Sequence, residues 1–186
     1  DVPFEPVATG SEADLCEELF ARMREAVDIR LVSEVPLGAF LSGGVDSSAV
    51  VTAMAQLQSD PVNTCAIGFD VPQFNETDFA RQVADRYGTN HLERVVASDD
   101  FDLLDTLAAL YDEPYADSSA IPTYRVCQLA RERVTVALSG DGGDEHFAGY
   151  RRYRWHMNEE RMRNLLPLGI RKPVFGTLGR LYPKLD

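Results

Sequence analysis

The sequence predicts an α/β fold, a parallel sheet with helices on both faces. Two observations predict it. Apolar runs of strand length alternate along the chain with segments of helical period, and two of those runs end in glycine turns that lead directly into a helix. In such sheets ligands sit beyond the carboxyl ends of the strands, so both glycine loops are expected to open onto one crevice.

Taken in order, Ser11 to Arg30 reads as an amphipathic helix. Leu15, Leu19, Met23, Ala26 and Val27 recur near a 3.6 spacing, with Ser11 as N-cap and Asp14 at the capping-box position. Leu37 to Leu41 is an apolar run bounded by Pro36 and a glycine pair, hence a buried strand, and the Ala/Val/Met-rich stretch from Ser47 onward is a helix. Thr64 to Phe69 is a second strand, Asn75 to Tyr87 a helix ended by Gly88, and His91 to Ala97 a third strand. Ser98 caps a helix through Tyr111 with Phe101, Leu104, Leu107 and Ala108 inward; Asp99, Asp100, Asp102 and Asp105 are its solvated, dipole-favoured half. Glu113 to Pro122 is a donor-rich loop, Ile121 to Arg133 a helix, and Val134 to Leu138 the fourth strand. Residues 165 to 186 carry three prolines and three glycines among apolar residues, and are expected to be neither helix nor strand.

The first glycine loop is Ser42-Gly43-Gly44-Val45-Asp46-Ser47-Ser48. A strand turning through glycines into a helix offers backbone N–H groups and the positive end of the helix dipole, and serines add hydroxyl donors. That is a seat for an anion. A Walker loop would need a lysine where Val45 and Asp46 stand, and no G-x-G-x-x-G occurs here. Asp46 would repel a bare phosphate, so a carboxylate at this mouth implies Mg²⁺ between the two, the usual pairing of carboxylate, metal and substrate phosphate. For S-G-G alone, an ordinary turn with a serine N-cap is the plain alternative; seven such residues after a strand argue against it. The second loop, Ser139-Gly140-Asp141-Gly142-Gly143-Asp144-Glu145, repeats the design: strand, glycines, acids, helix.

Bulk properties exclude other classes. With 186 residues, 45% hydrophobic and 26% charged, the chain can bury one full core. No run approaches the roughly 18 apolar residues of a membrane span and the start is unlike a signal peptide, so no membrane partner is expected and the place is cytoplasmic. Cys16, Cys65 and Cys127 are odd in number and far apart, without C-x-x-C; they read as three small buried thiols. Residues 1 to 150 hold 27 acidic and 9 basic side chains, a net of −18, which repels nucleic acid. Residues 151 to 186 hold 3 acidic and 9 basic, a net of +6, read as a helix face solvated by Arg151, Arg152 and Arg154.

The motifs carry a resemblance. S-G-G-V-D-S-S resembles the pyrophosphate-binding loop of the ATP pyrophosphatases, and L-S-G-D-G-G-D-E-H-F-A-G-Y, residues 138 to 150, resembles the signature of the asparagine synthetase synthase domain and its β-lactam synthetase relatives. C-A-I-G-F-D, N-E-T-D-F-A-R-Q-V-A-D-R-Y-G-T-N-H and E-P-Y-A-D-S-S-A-I-P-T-Y look like further blocks of that family, so the likeness covers roughly residues 12 to 155. The resemblance implies an adenine nucleotide alpha-hydrolase-like fold. It places Leu41 and Ile67 around adenine and ribose, and Ser42, Gly43, Gly44, Asp46, Ser47 and Ser48 at the pyrophosphate. Ser139 and Gly140 then meet AMP, Asp46 and Asp144 are magnesium carboxylates, and Asp141 is the acid beside the acyl-adenylate. Ser118 and Ser119 fall where some members carry a threonine pair near aspartate; the arginine accompanying that pair is not evident. His146 stands where an apolar residue is usual, and reads as a surface change.

The implied reaction is ATP-dependent amidation of aspartate to asparagine through a β-aspartyl-adenylate, releasing AMP and pyrophosphate, with ammonia drawn from glutamine in a full-length homodimer. The alternatives are a relative that adenylates another carboxylate, or a nucleotide-binding module without turnover. The family also carries an N-terminal glutaminase and a downstream catalytic lysine. Residues 1 to 186 are therefore expected to be part of a synthase domain, without synthase activity by themselves.

Overall fold

The computed structural model describes residues 9–71, 75–96, 103–111, 113, 115, 117–165 and 167–181. The chain forms two compact units, Asp1–Asp141 and Gly142–Asp186.

In the first unit, α1 (Glu12–Leu31) precedes β1 (Leu37–Phe40), α2 (Val45–Leu57), β2 (Asn63–Phe69), α3 (Thr77–Tyr87), β3 (Asn90–Val96), α4 (Leu104–Leu110), α5 (Ala120–Ala130) and β4 (Val136–Leu138). The four strands make one parallel sheet in the order β3-β2-β1-β4. Parallel strands need crossovers, which the alternating helices supply.

Period-two alternation divides the strand residues between two cores. Ala39, Leu41 and Ala66 face one way and pack with Val27 of α1, Val51 and Met54 of α2, and Ala80 and Ala84 of α3. Phe40, Cys65 and Ile67 face the other way, onto Leu129 and Ala130 of α5 and Val134. Helices therefore cover both faces, as expected. Full burial of side chains such as Leu41, Met54 and Leu129 contributes about 1.5–3 kcal/mol each.

Helix α1 has its expected capping box: the Asp14 carboxylate accepts from the Ser11 N–H at 3.0 Å, and the Ser11 hydroxyl accepts from the Asp14 N–H at 3.3 Å. Its expected inward stripe is a different matter. Only Val27 is buried, and Leu15 and Leu19 are exposed, because α1 meets α2 through its C-terminal half. Gly88 ends α3 in the left-handed region, φ 59°, as its position after the last periodic residue required. The proposed cap Ser98, with Phe101 and the aspartates at 99, 100 and 102, lies outside the described residues. Of the cysteines, Cys65 alone is buried; Cys16 and Cys127 are exposed on helix surfaces.

The second unit holds α6 (Gly143–Phe147), α7 (Arg151–Asn164) and α8 (Leu168–Leu181). Helix α7 is solvated as its charge implied, with no buried residue. Helix α8 corrects the reading of residues 165 to 186 as lacking a period. Ile170, Val174 and Leu178 recur at the i, i+4 spacing of one helix face, and Pro173 is carried inside the helix. Pro173 removes one N–H donor; its own carbonyl accepts from the Thr177 hydroxyl at 2.7 Å.

Candidate nucleotide site at the carboxyl edge of the sheet

Strand β1 is held to its end by β2, the Leu41 N–H donating to the Cys65 carbonyl at 2.9 Å. The chain then turns. Gly43 takes φ +84°, where L side chains are strained, and a Cβ there would stand 2.7 Å from Phe79 Cβ and 2.8 Å from the Ala80 nitrogen. The loop thus rests against the first turn of α3. Phe79 and Ala80 were not singled out from sequence as site-builders, although N-E-T-D-F-A was one of the blocks carrying the resemblance.

Gly44 caps α2 with extended backbone and no side-chain cap bond. The first helical bond is Ser48 N–H to the Gly44 carbonyl at 3.1 Å, so the N–H groups of Val45, Asp46 and Ser47 precede it and have no helical acceptor. They supply the positive end of a helix for an anion. The serine hydroxyls are used otherwise than expected. Ser47 Oγ is buried, accepts from the Ser42 N–H at 3.3 Å, and donates to the Gly44 carbonyl at 3.3 Å; Ser48 Oγ donates to the same carbonyl at 2.6 Å. These hydroxyls brace the loop, and the backbone is what it presents.

The first residues of the second glycine loop, up to Asp141, close on the first loop. Register pairs Ala39 with Leu138, so β1 and β4 finish side by side. A Cβ on Gly140 would lie 2.6 Å from the Ser47 nitrogen and 2.8 Å from the Asp46 carbonyl carbon. Only glycine permits that approach. Ser139, Gly140 and Asp141 are thereby brought to the amino end of α2, with the Ser139 hydroxyl donating to Asp141 Oδ2 at 2.8 Å. The expectation of one crevice for both loops holds for these residues.

The remaining candidates are placed less uniformly. Leu41 is wholly buried in the core under α1 to α3, whereas Ile67 packs half-buried in the opposite core, so the two side chains do not face one another and Leu41 has its backbone to offer. Ser118 and Ser119 are exposed in the α4–α5 connection, where Asp117 accepts the Ser119 N–H at 2.8 Å and its carboxyl is held below the usual range by that bond. Asp144 belongs to the second unit. There it starts α6, its carboxylate lies in space that a Cβ on Gly149 would occupy, and its carbonyl accepts the Gly149 N–H at 3.0 Å. The Tyr150 hydroxyl donates to Glu145 Oε1, which holds the Glu145 carboxyl below its ordinary value. Among the described residues no three His, Cys, Asp or Glu converge into a metal cage. This donor set suits Mg²⁺ shared between one or two carboxylates and substrate phosphates rather than an all-protein cage.

The family model for asparagine synthase matches residues 18–185. The chain belongs to the asparagine synthase family. It is 45% identical over 150 residues to a putative asparagine synthetase [glutamine-hydrolyzing] 2 of Methanocaldococcus jannaschii, covering 80% of this chain and 28% of that protein. It is 35% identical over 170 residues to asparagine synthetase [glutamine-hydrolyzing] 1 of Bacillus subtilis, covering 91% and 26%. The chain therefore spans about a quarter of the length of these asparagine synthase relatives. The solved structure of an NMN synthetase from Francisella tularensis matches 72% of this chain and 58% of its own, with TM-score 0.50 and 13% identity. At that identity the likeness concerns the fold alone, and it agrees with the expected adenine nucleotide alpha-hydrolase-like architecture. Among the described residues no helix is long and apolar enough to cross a membrane.

Proposed function

We propose that residues 1–186 form the ATP-binding part of an asparagine synthase, which adenylates the side-chain carboxylate of aspartate and passes it to ammonia. The observation that carries this reading is the joint formed by Gly140 against Ser47, which gathers two glycine loops, a helix amino terminus and two carboxylates, Asp46 and Asp141, at one edge of the sheet.

In the proposed reaction a carboxylate oxygen of aspartate attacks the α-phosphorus of ATP, and the bond from that phosphorus to the bridging oxygen breaks. Pyrophosphate departs with the bonding electrons onto the N–H groups of Val45, Asp46 and Ser47. Those donors are fixed before reaction, so they stabilise the developing charge without reorganising. Asp46 would hold Mg²⁺, which when bound would neutralise phosphate charge. Ammonia then attacks the acyl carbon, the carbon–oxygen bond to AMP breaks, and the proton shed by nitrogen goes to the Asp141 carboxylate, which the Ser139 hydroxyl orients. In the full-length protein, glutamine as ammonia source, assembly as a homodimer and a cytoplasmic place belong to the same reading.

The test is pyrophosphate release by the full-length protein containing these residues, measured with ATP and Mg²⁺ over a panel of carboxylic acids. Aspartate-dependent release, with AMP and asparagine in equal amounts, is expected. Release dependent on another acid would transfer the reading to a relative that adenylates that acid, and no release with any acid would leave a nucleotide-binding module.

A further inference from the structure

The loop proposed for pyrophosphate leans on a helix that takes no part in the proposed chemistry. A Cβ on Gly43 would stand 2.7 Å from Phe79 Cβ, 2.8 Å from the Ala80 nitrogen and 3.1 Å from the Glu76 carbonyl oxygen, so the turn runs along the start of α3 with no slack. Close-packed contacts of this kind transmit displacement, because packed interiors compress little. Whatever fixes the first turn of α3 therefore fixes where the Gly43 turn, and the amide groups that follow it, can lie.

Two attachments fix that turn. One is to β2: Thr77 is buried, its N–H donates to Asn75 Oδ1 at 3.2 Å, and a Cβ on Gly68 would stand 2.7 Å from Thr77 Cγ2. The other is Arg81. Its Nε donates to Glu93 Oε2 at 2.9 Å and its Nη2 to Glu93 Oε1 at 2.8 Å, a fork on the two oxygens of one carboxylate. Nη2 also donates to Thr77 Oγ1 at 3.3 Å, and Nη1 donates to Asp78 Oδ1 at 2.7 Å. One side chain thus joins two residues of the first turn of α3 to β3, the edge strand of the sheet. Register sets Glu93 opposite Ala66, which packs against α3, so the carboxylate stands on the face that this helix covers. His91 Nε2 lies 3.8 Å from Glu93 Oε2, beyond hydrogen-bonding reach, and leaves the fork to Arg81.

The Arg81 side chain is 52% exposed, and ion pairs so open to water add little to global stability. Ala80 and Ala84 already bury the inner face of α3. What the fork adds is geometry, since a planar guanidinium bound at both oxygens fixes direction as well as distance. We infer that Arg81 is a positioning residue for the pyrophosphate loop: through Glu93, Thr77 and Asp78 it holds the first turn of α3 where Gly43 turns against it, and so sets the N–H groups of Val45, Asp46 and Ser47. The inference rests on the reading of that loop as the seat of pyrophosphate.

The test is amide hydrogen exchange read by mass spectrometry, with calorimetry of ATP and Mg²⁺, on the full-length protein containing these residues and on its variants Arg81→Met, Glu93→Gln and their combination. Amides of residues 42–48 should exchange about tenfold faster in Arg81→Met while those of β4 and α5 keep the parent rate, a pattern that general loosening of the fold does not produce. ATP affinity should fall about fivefold or more, because a displaced loop binds poorly even with its own residues intact. The double variant should lose no more than Arg81→Met alone, since both changes break the same fork. Arg94→Met is the control: its pair with Glu132 at 2.9 Å is about as exposed but joins β3 to the turn after α5, so exchange at 42–48 and ATP affinity should match the parent. If Arg81→Met melts early, Arg81→Lys, which keeps the charge and loses the fork, should show the same two changes at smaller size. Parent-like exchange at 42–48 together with parent-like affinity in folded Arg81 variants would overturn the inference, as would acceleration shared equally by β4 and α5. A parent that binds no ATP would instead overturn the pyrophosphate reading; the exchange measurement needs no nucleotide and still decides whether Arg81 holds the loop.

Discussion

The backbone of Gly140 lies against the amide nitrogen of Ser47 closely enough that a Cβ would stand 2.6 Å away. Two strands that are neighbours in the sheet, β1 and β4, thereby deliver their loops to one point although about a hundred residues separate them in sequence. Gly140→Ala should force the second loop away from α2. Overpacking of this kind costs about 1–3 kcal/mol, which for a chain of this size lowers the melting temperature by several degrees. Thermal melts and ATP titration of the variant should both show the loss; unchanged values in both would mean that the loops are not jointly built.

Gly43→Ala should be worse. It combines a left-handed backbone, costing roughly 1–2 kcal/mol for an L side chain, with a clash against the backbone nitrogen of Ala80 that no side-chain movement relieves. Gly176→Ala is the contrast: nothing stands within 4 Å of its would-be Cβ, and it lies inside α8, where alanine is favoured over glycine by about 0.8–1 kcal/mol. Denaturant unfolding should give opposite signs for the two substitutions. A destabilised Gly176→Ala would count against helix α8 as described.

Much of this was legible in the sequence, for physical reasons that differ by element. The strand-to-glycine-to-helix junctions at Ser42 and Ser139 are local, set by chain stiffness and backbone freedom, and so could be read directly. The capping box at Ser11 and Asp14 and the left-handed stop at Gly88 are local too. What sequence could not supply was partner choice. Leu15 and Leu19 have the period of a buried stripe but no neighbour to bury them, and nothing local says that Gly43 will be packed against Phe79. The serine hydroxyls of the first loop have the chemistry of anion ligands, but in three dimensions the nearer acceptor is the Gly44 carbonyl. Helix α8 was missed because Pro173 and three glycines outweighed the four-residue spacing of Ile170, Val174 and Leu178.

His91 should make the first unit acid-sensitive. Its Nδ1 lies 2.9 Å from the Thr64 hydroxyl, which also meets Thr89 at 2.8 Å, while Nε2 is buried without a hydrogen-bond partner. Burial holds the imidazole below its ordinary pKa of 6.5. Glu93 on the same strand and Asp85 on α3 oppose that shift, whereas Arg81 on α3 and Arg133 after α5 add to it. A folded-state pKa lowered for a base means that the unfolded chain binds the proton more readily. The stability tied to neutral His91 is therefore complete above about 6.5 and is lost as pH falls from there toward the lowered folded value. Melting temperatures from pH 8 to pH 5 should fall less steeply for His91→Gln than for the parent; parallel curves would remove His91 from the account.

The last prediction concerns the metal. Asp46 is half-buried in the first turn of α2, among the N–H groups proposed for pyrophosphate, and a carboxylate there helps an anion bind only through a cation between them. ATP affinity should therefore depend on Mg²⁺, and Asp46→Asn should reduce that dependence rather than merely lower affinity. Removing the negative charge relieves the repulsion felt by metal-free ATP while taking away a ligand from the metal-bound form, so the two affinities should converge. His146→Leu provides the control, since His146 is an exposed residue of α6 for which no role at the phosphates is proposed. Calorimetry of ATP with and without Mg²⁺ should give a magnesium-bound affinity about tenfold or more lower in Asp46→Asn than in the parent, and an essentially unchanged value in His146→Leu. Equal losses in the two variants would mean that Asp46 acts through the general charge of the protein and not as a ligand, and the magnesium assignment would fall with it.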